Sequence, residues 1–169
     1  MSRVVKRVFD FFEVYLPVAV FSILLLSVFI QVFMRYVLDM PSPKLFEVSI
    51  YSFVWVIYLG GALATRYDQH MRFDLIYRSL KKKVRLVLDL VFDLFTNGVL
   101  FFLVIPSFRY TIQVYPIKAS ALRIPWTFLL IVYPVFVVLV IIHNFLSIYF
   151  NVRELLGKAP RPEEVAPWI

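Results

Sequence analysis

The 169-residue chain is 62% hydrophobic and 18% aromatic, more apolar surface than a soluble core of that size can hide, which excludes a water-soluble globular domain. Its formal charge of +7 does not point to nucleic acid, because the basic residues lie between long uncharged stretches rather than on one soluble face. With no cysteine, disulfides, thiol catalysis and Cys-ligated metals are excluded together.

In chain order, Val4, Val8, Phe12 and Tyr15 recur at helical spacing among Arg3, Lys6, Arg7 and Asp10. This pattern predicts an amphipathic helix lying along the membrane interface, with an N-terminal extension of the first span as the alternative. Span one covers Val14 to Met34, bounded by Glu13 and Arg35. It is too long for a signal-peptide core and lacks a small-residue cleavage site after it, so it is expected to remain as an anchor.

The next loop carries Asp39-Met40-Pro41-Ser42-Pro43, in which Ser42 can cap a helix and Pro43 can occupy its first turn. Glu47 then falls near the helix start, where the macrodipole favours a negative charge; alternatively it pairs with Arg35 at the same membrane edge, within the chain or between subunits. The eighteen residues between Glu47 and Arg66 carry no charge. As a helix they rise roughly 27 Å, close to the hydrocarbon thickness. Glu47, Tyr51, Trp55, Tyr58 and Ala62 share one face of that helix. Gly60 with Ala64 and Gly61 with Thr65 fit the small-xxx-small pattern that lets membrane helices approach closely.

After this second span, Arg66, His70, Asp74 and Arg78 stand four residues apart, an amphipathic cytoplasmic segment that forms either a solvated ladder or a docking surface. Lys81, Lys82, Lys83 and Arg85 follow, suited to anionic lipid headgroups. Span three, 86–108, has Asp89 and Asp93 near its start, read as interfacial groups solvated by headgroups and water or as part of an ion pathway. Span four, 124–150, opens with Pro125 as a first-turn proline and Trp126 as an interfacial anchor. Pro106 and Pro134 are expected to kink spans three and four. His143 is expected to be packed or hydrogen-bonded, since it and His70 are too few for a metal or haem site.

Thirteen of the eighteen Lys and Arg residues fall in the N-terminus, the loop after span two and the C-terminal tail; five fall in the other two loops. The asymmetry predicts cytoplasmic termini. The expectation is an all-α integral membrane protein of four transmembrane helices, with residues 1–158 as one membrane domain (spans about 14–34, 46–65, 86–108 and 124–150) and 159–169 as a tail.

Arg35-Tyr36, Glu47, Trp55, Gly60-Gly61-Ala62 with Ala64, Arg66, His70, Asp74, Leu122-Arg123-Ile124-Pro125-Trp126 and Pro134, in this order on four spans, resemble the small membrane subunit (DctQ type) of tripartite ATP-independent periplasmic (TRAP) transporters. The resemblance covers most of the chain. It implies a non-catalytic scaffold that packs beside a large translocating membrane subunit, served by a periplasmic substrate-binding protein. Sodium coupling and organic-anion transport would belong to those partners, and no cofactor or metal is expected in this chain. Arg35, Glu47, Tyr51, Trp55, Gly60, Gly61, Ala64, Arg66, His70 and Asp74 are then candidates for subunit contact or folding. Lys81, Lys82, Lys83, Arg85 and Trp126 are candidates for lipid headgroups. A channel or carrier acting alone, lined by Asp89, Asp93 or His143, is the alternative. An enzyme would need convergent catalytic groups, and the spacing offers none.

Overall fold

A computed structural model describes residues 10–66 and 82–157. Most of the predicted N-terminal interfacial helix, the segment carrying His70, Asp74 and Lys81, and the C-terminal tail lie outside the described residues, as does the side chain of Lys82.

Among the described residues the chain is helical, without a β-strand. A π-helical turn, Phe11–Tyr15, leads into α1, Leu16–Tyr36. Pro17 sits in the first turn of α1, directly after the π-helical turn. Past the C-terminus of α1, Asp39 takes a left-handed conformation (φ 53°), and the Met40 N–H donates to the Met34 carbonyl at 2.9 Å. α2 then runs from Pro43 to Arg66, starting at the proline expected to open it. α3 spans Lys82–Gln113, 32 residues, longer at both ends than the predicted third span, and it continues through Pro106.

The fourth span departs from expectation at its beginning. Pro125 is not in a helix but pairs with Lys118 in an isolated antiparallel bridge, and Trp126 is the N-cap of α4, Thr127–Leu130. α5, Val132–Leu155, follows after a break at Ile131. The break has a local cause: Pro134 has no N–H to offer the Leu130 carbonyl, and its ring crowds the preceding turn. The next bond, from the Val135 N–H to the Ile131 carbonyl, is long at 3.3 Å. Pro134 therefore interrupts the hydrogen-bond ladder at this point, while the backbone stays α-helical through Ile131.

Among the described residues, four helical stretches are long and apolar enough to cross a membrane: Phe11–Tyr36, Pro43–Arg66, Lys83–Gln113 and Thr127–Leu155. The partition of side chains fits that solvent. Among the described residues, thirteen buried ones are polar or charged and seven are hydrophobic, while large apolar residues such as Phe29, Phe101 and Phe102 stand exposed at 71%, 70% and 80%. In hydrocarbon the apolar faces need no cover, and helices associate through small and polar residues instead. Ser49 and Ser52 on α2 and Ser107 and Thr111 on α3 are among the buried polar residues, and the Ser49 and Thr111 hydroxyls donate within their own helices, to the Phe46 carbonyl at 2.7 Å and the Ser107 carbonyl at 2.8 Å.

Close contacts group the described residues into two compact units. One comprises residues 10–63 and 107–136; the other comprises 64–66, 82–106 and 137–157.

Candidate functional site

In the first unit, the loop between α3 and α4 folds into a small hairpin. The Ala119 N–H donates to the Ile124 carbonyl at 2.9 Å and the Trp126 N–H to the Ile117 carbonyl at 2.9 Å, on either side of the Lys118–Pro125 bridge. Reversal over so few residues places Arg123 in the left-handed region, φ 56°, a conformation that L-residues other than glycine, asparagine and aspartate seldom adopt. The turn leaves backbone N–H groups at its tip with no partner in the hairpin itself.

Glu47 meets them. The Ala121 N–H donates to Oε1 at 2.9 Å and the Leu122 N–H to Oε2 at 2.7 Å, so each carboxylate oxygen accepts one main-chain amide. Successive amides converging on one anion form a nest, and charge-assisted bonds of this length are the stronger kind. The expected intramolecular partner of Glu47, Arg35, is instead on its own neighbour: its guanidinium carbon lies 5.7 Å from the centroid of the Tyr36 ring. The reason is geometric, since the hairpin offers two preorganised donors to a carboxylate on the first turns of α2.

Two turns along α2, the Trp55 indole Nε1–H donates to the Phe128 carbonyl at 3.0 Å. That carbonyl belongs to the single turn of α4, next to the interruption imposed by Pro134. Tyr58 continues the face, with its ring 5.4 Å from Tyr133 (interplanar angle 62°) and 5.4 Å from Phe136 (52°). Edge-on and tilted aromatic contacts of this kind add specificity to packing. Leu59 and Ala62 complete the buried side at 1% and 0% exposure. Tyr51, between Glu47 and Trp55, buries its hydroxyl without a hydrogen-bond partner among the described residues.

The glycine pair separates into two roles. A Cβ on Gly61 would stand 3.2 Å from the Phe136 ring, so this position lets the ring lie against the α2 backbone. A Cβ on Gly60 would meet nothing within 4 Å. On the far side of the hairpin, the Thr127 hydroxyl donates to the Thr111 carbonyl at 2.7 Å. Thr111 lies in the last turn of α3, where carbonyls have no intrahelical donor, so the hydroxyl satisfies one of them.

The structure thus brings together Glu47, Trp55, Tyr58 and Gly61 with the 117–136 segment, and does not bring Arg35 to them. Trp126 is 42% exposed, Lys83 and Arg85 are exposed, and Ala64 is half-buried. Arg66 is only 3% exposed and so is not part of a solvated face. Glu13, read as the boundary of span one, is fully buried within the π-helical turn. Asp89 is also turned inward, at 7% exposure, rather than open to headgroups and water. His143 is buried at 7%, as the packed reading expects.

Sequence reasoning missed the acceptor and donor roles of Phe128, Ala121 and Leu122. These act through the main chain, which carries no side-chain signature. The available signal was indirect: Glu47 and Leu122-Arg123-Ile124-Pro125-Trp126 are separate pieces of one pattern, and here they are bonded to each other.

Comparison with protein families matches residues 24–154 to tripartite ATP-independent periplasmic transporters, DctQ component. The chain belongs to the DctQ family. The match spans α1 from Leu24 through nearly all of α5 and includes the whole fastening between α2 and the hairpin. Comparison with curated proteins gives no match. Membership makes this DctQ chain a multi-pass membrane component of a TRAP transporter, a transport family rather than an enzyme family.

Proposed function

We propose that this DctQ chain is the small, non-catalytic scaffold subunit of a sodium-driven, binding-protein-dependent TRAP transporter for organic anions, carboxylates or sugar acids. In this reading it packs against the large translocating subunit and stabilises it, both termini are cytoplasmic, and the periplasmic binding protein delivers the substrate. Sodium coupling resides in the large subunit.

One observation carries the reading: the ordered polar and aromatic side chains of α2 are used within the chain, while the apolar faces elsewhere are left open. Glu47, Trp55 and Tyr58 hold the hairpin and the start of the fourth span. By contrast, only 6% of the apolar window in Phe11–Tyr36 is buried inside the chain. A rigid core with uncovered transmembrane faces suits a subunit that offers surface to a larger membrane protein. The basic residues flanking the spans support the proposed orientation.

Reconstitution tests the proposal. Proteoliposomes with the large subunit and binding protein should take up substrate on a sodium gradient only when this chain is included. Full-rate uptake in its absence removes the scaffold role, and sodium-dependent uptake by this chain alone points to the carrier alternative.

A further inference from the structure

The C-terminal half of α5, in the second unit, takes no part in the fastening. Here Phe145, Ile148, Tyr149, Val152 and Leu156 recur at helical spacing and, with Arg153, line an open groove of about 740 Å³. The groove is bulky and apolar: Phe145 is 59% exposed and Tyr149 58%. Arg153 is half-buried and makes no hydrogen bond or ion pair among the described residues.

We propose that this groove binds an anionic phospholipid, its acyl chain lying along Phe145, Ile148, Tyr149 and Val152 and its phosphate on Arg153. Three features select that occupant. The stripe from Phe145 to Val152, below Arg153, rises about 10 Å as a helix, within one leaflet of a hydrocarbon core of about 30 Å. A guanidinium at the end of a membrane span stands at headgroup depth, and its planar fork matches phosphate oxygens. A second protein helix would favour small residues for close approach, whereas Phe, Ile and Tyr leave an uneven channel that a flexible chain fills better. Tyr149 adds an amphipathic ring of the type enriched at the membrane interface.

Native mass spectrometry of the full chain in detergent, offered equal phosphatidylglycerol and phosphatidylcholine of identical acyl composition, tests the site. Phosphatidylglycerol should be retained in preference, and Arg153→Gln should lower its occupancy about fivefold, the effect of one basic residue at an anionic surface. Phosphatidylcholine retention should not change, and Arg153→Lys should keep part of the preference. Equal retention of the two lipids by the wild-type chain overturns the proposal and leaves the groove to a protein helix. Unchanged phosphatidylglycerol retention in Arg153→Gln overturns it as well. A second measurement avoids dependence on that variant's folding. In nanodiscs, the fluorescence of Phe145→Trp should be quenched more by brominated phosphatidylglycerol than by brominated phosphatidylcholine, and equal quenching refutes the site.

Discussion

Glu47 fixes a loop by offering both carboxylate oxygens to main-chain amides of a hairpin 74 and 75 residues further on. The amides are donors in any sequence; what places them is the reversal at the hairpin tip, where Arg123 accepts a left-handed backbone. Replacing the carboxylate therefore releases the turn without disturbing the helix that carries it. Glu47→Gln keeps one oxygen acceptor but puts an amide nitrogen where the other N–H points, so one bond should be lost and a donor–donor conflict created; Glu47→Ala loses both. Hydrogen exchange at Ala121 and Leu122 is expected to quicken in the order wild type, Gln, Ala. Trypsin cleavage after Arg123 should follow the same order. Unchanged exchange in the alanine variant would show that the hairpin holds its shape without Glu47. From the residues alone, Glu47 could be placed at a helix start, and the Leu122–Trp126 motif could be placed before span four. Their bond could not be read, because its other half is backbone.

At the scale of elements, the spans were legible and their interruptions were not. Uninterrupted apolar runs marked α1 and α2 to within a few residues, since hydrocarbon imposes one length and one secondary structure. The third helix exceeded its apolar core because Arg85 and Arg109, which bracket it in sequence, are compatible with helix and do not stop it. Pro134 was visible as a kink; the Leu130 carbonyl that it leaves without its helical donor lies two residues past the Phe128 carbonyl to which Trp55 of α2 donates. The glycines of α2 depend on packing. Gly61→Ala places a methyl 3.2 Å from the Phe136 ring, and that ring is held by Tyr58, so relief by ring movement is restricted. Overpacking of this kind should cost about 1–3 kcal/mol. Gly60→Ala meets open space and should be neutral or stabilising in the isolated chain by up to about 1 kcal/mol of helix propensity. Thermal unfolding of the two variants in the same detergent checks the contrast, and equal losses would assign both glycines to one contact.

For the whole molecule, the decisive quantity is which side of the membrane each loop occupies, because the Glu47–hairpin fastening lies in whole or part at one surface. Glu47 stands on the first turns of α2 and bonds the loop that follows α3, so two loops that odd-numbered crossings bring to the same side are tied to each other. In the proposed orientation that side faces away from the cytoplasm, as expected from the five of eighteen basic residues in those two loops. The chain has no cysteine of its own, so single-cysteine variants can be read without background. Met40→Cys and Ser120→Cys, both at exposed positions, should react with a membrane-impermeant maleimide added outside intact cells. Ser2→Cys and Lys158→Cys should react only after the membrane is opened. The reverse pattern would invert the orientation while keeping the two loops together. Labelling of Met40→Cys and Ser120→Cys from opposite sides would contradict the fastening itself, since Glu47 cannot bond a hairpin across the bilayer from the end of its own helix. The labelling therefore separates an error in orientation from an error in the four-span fold.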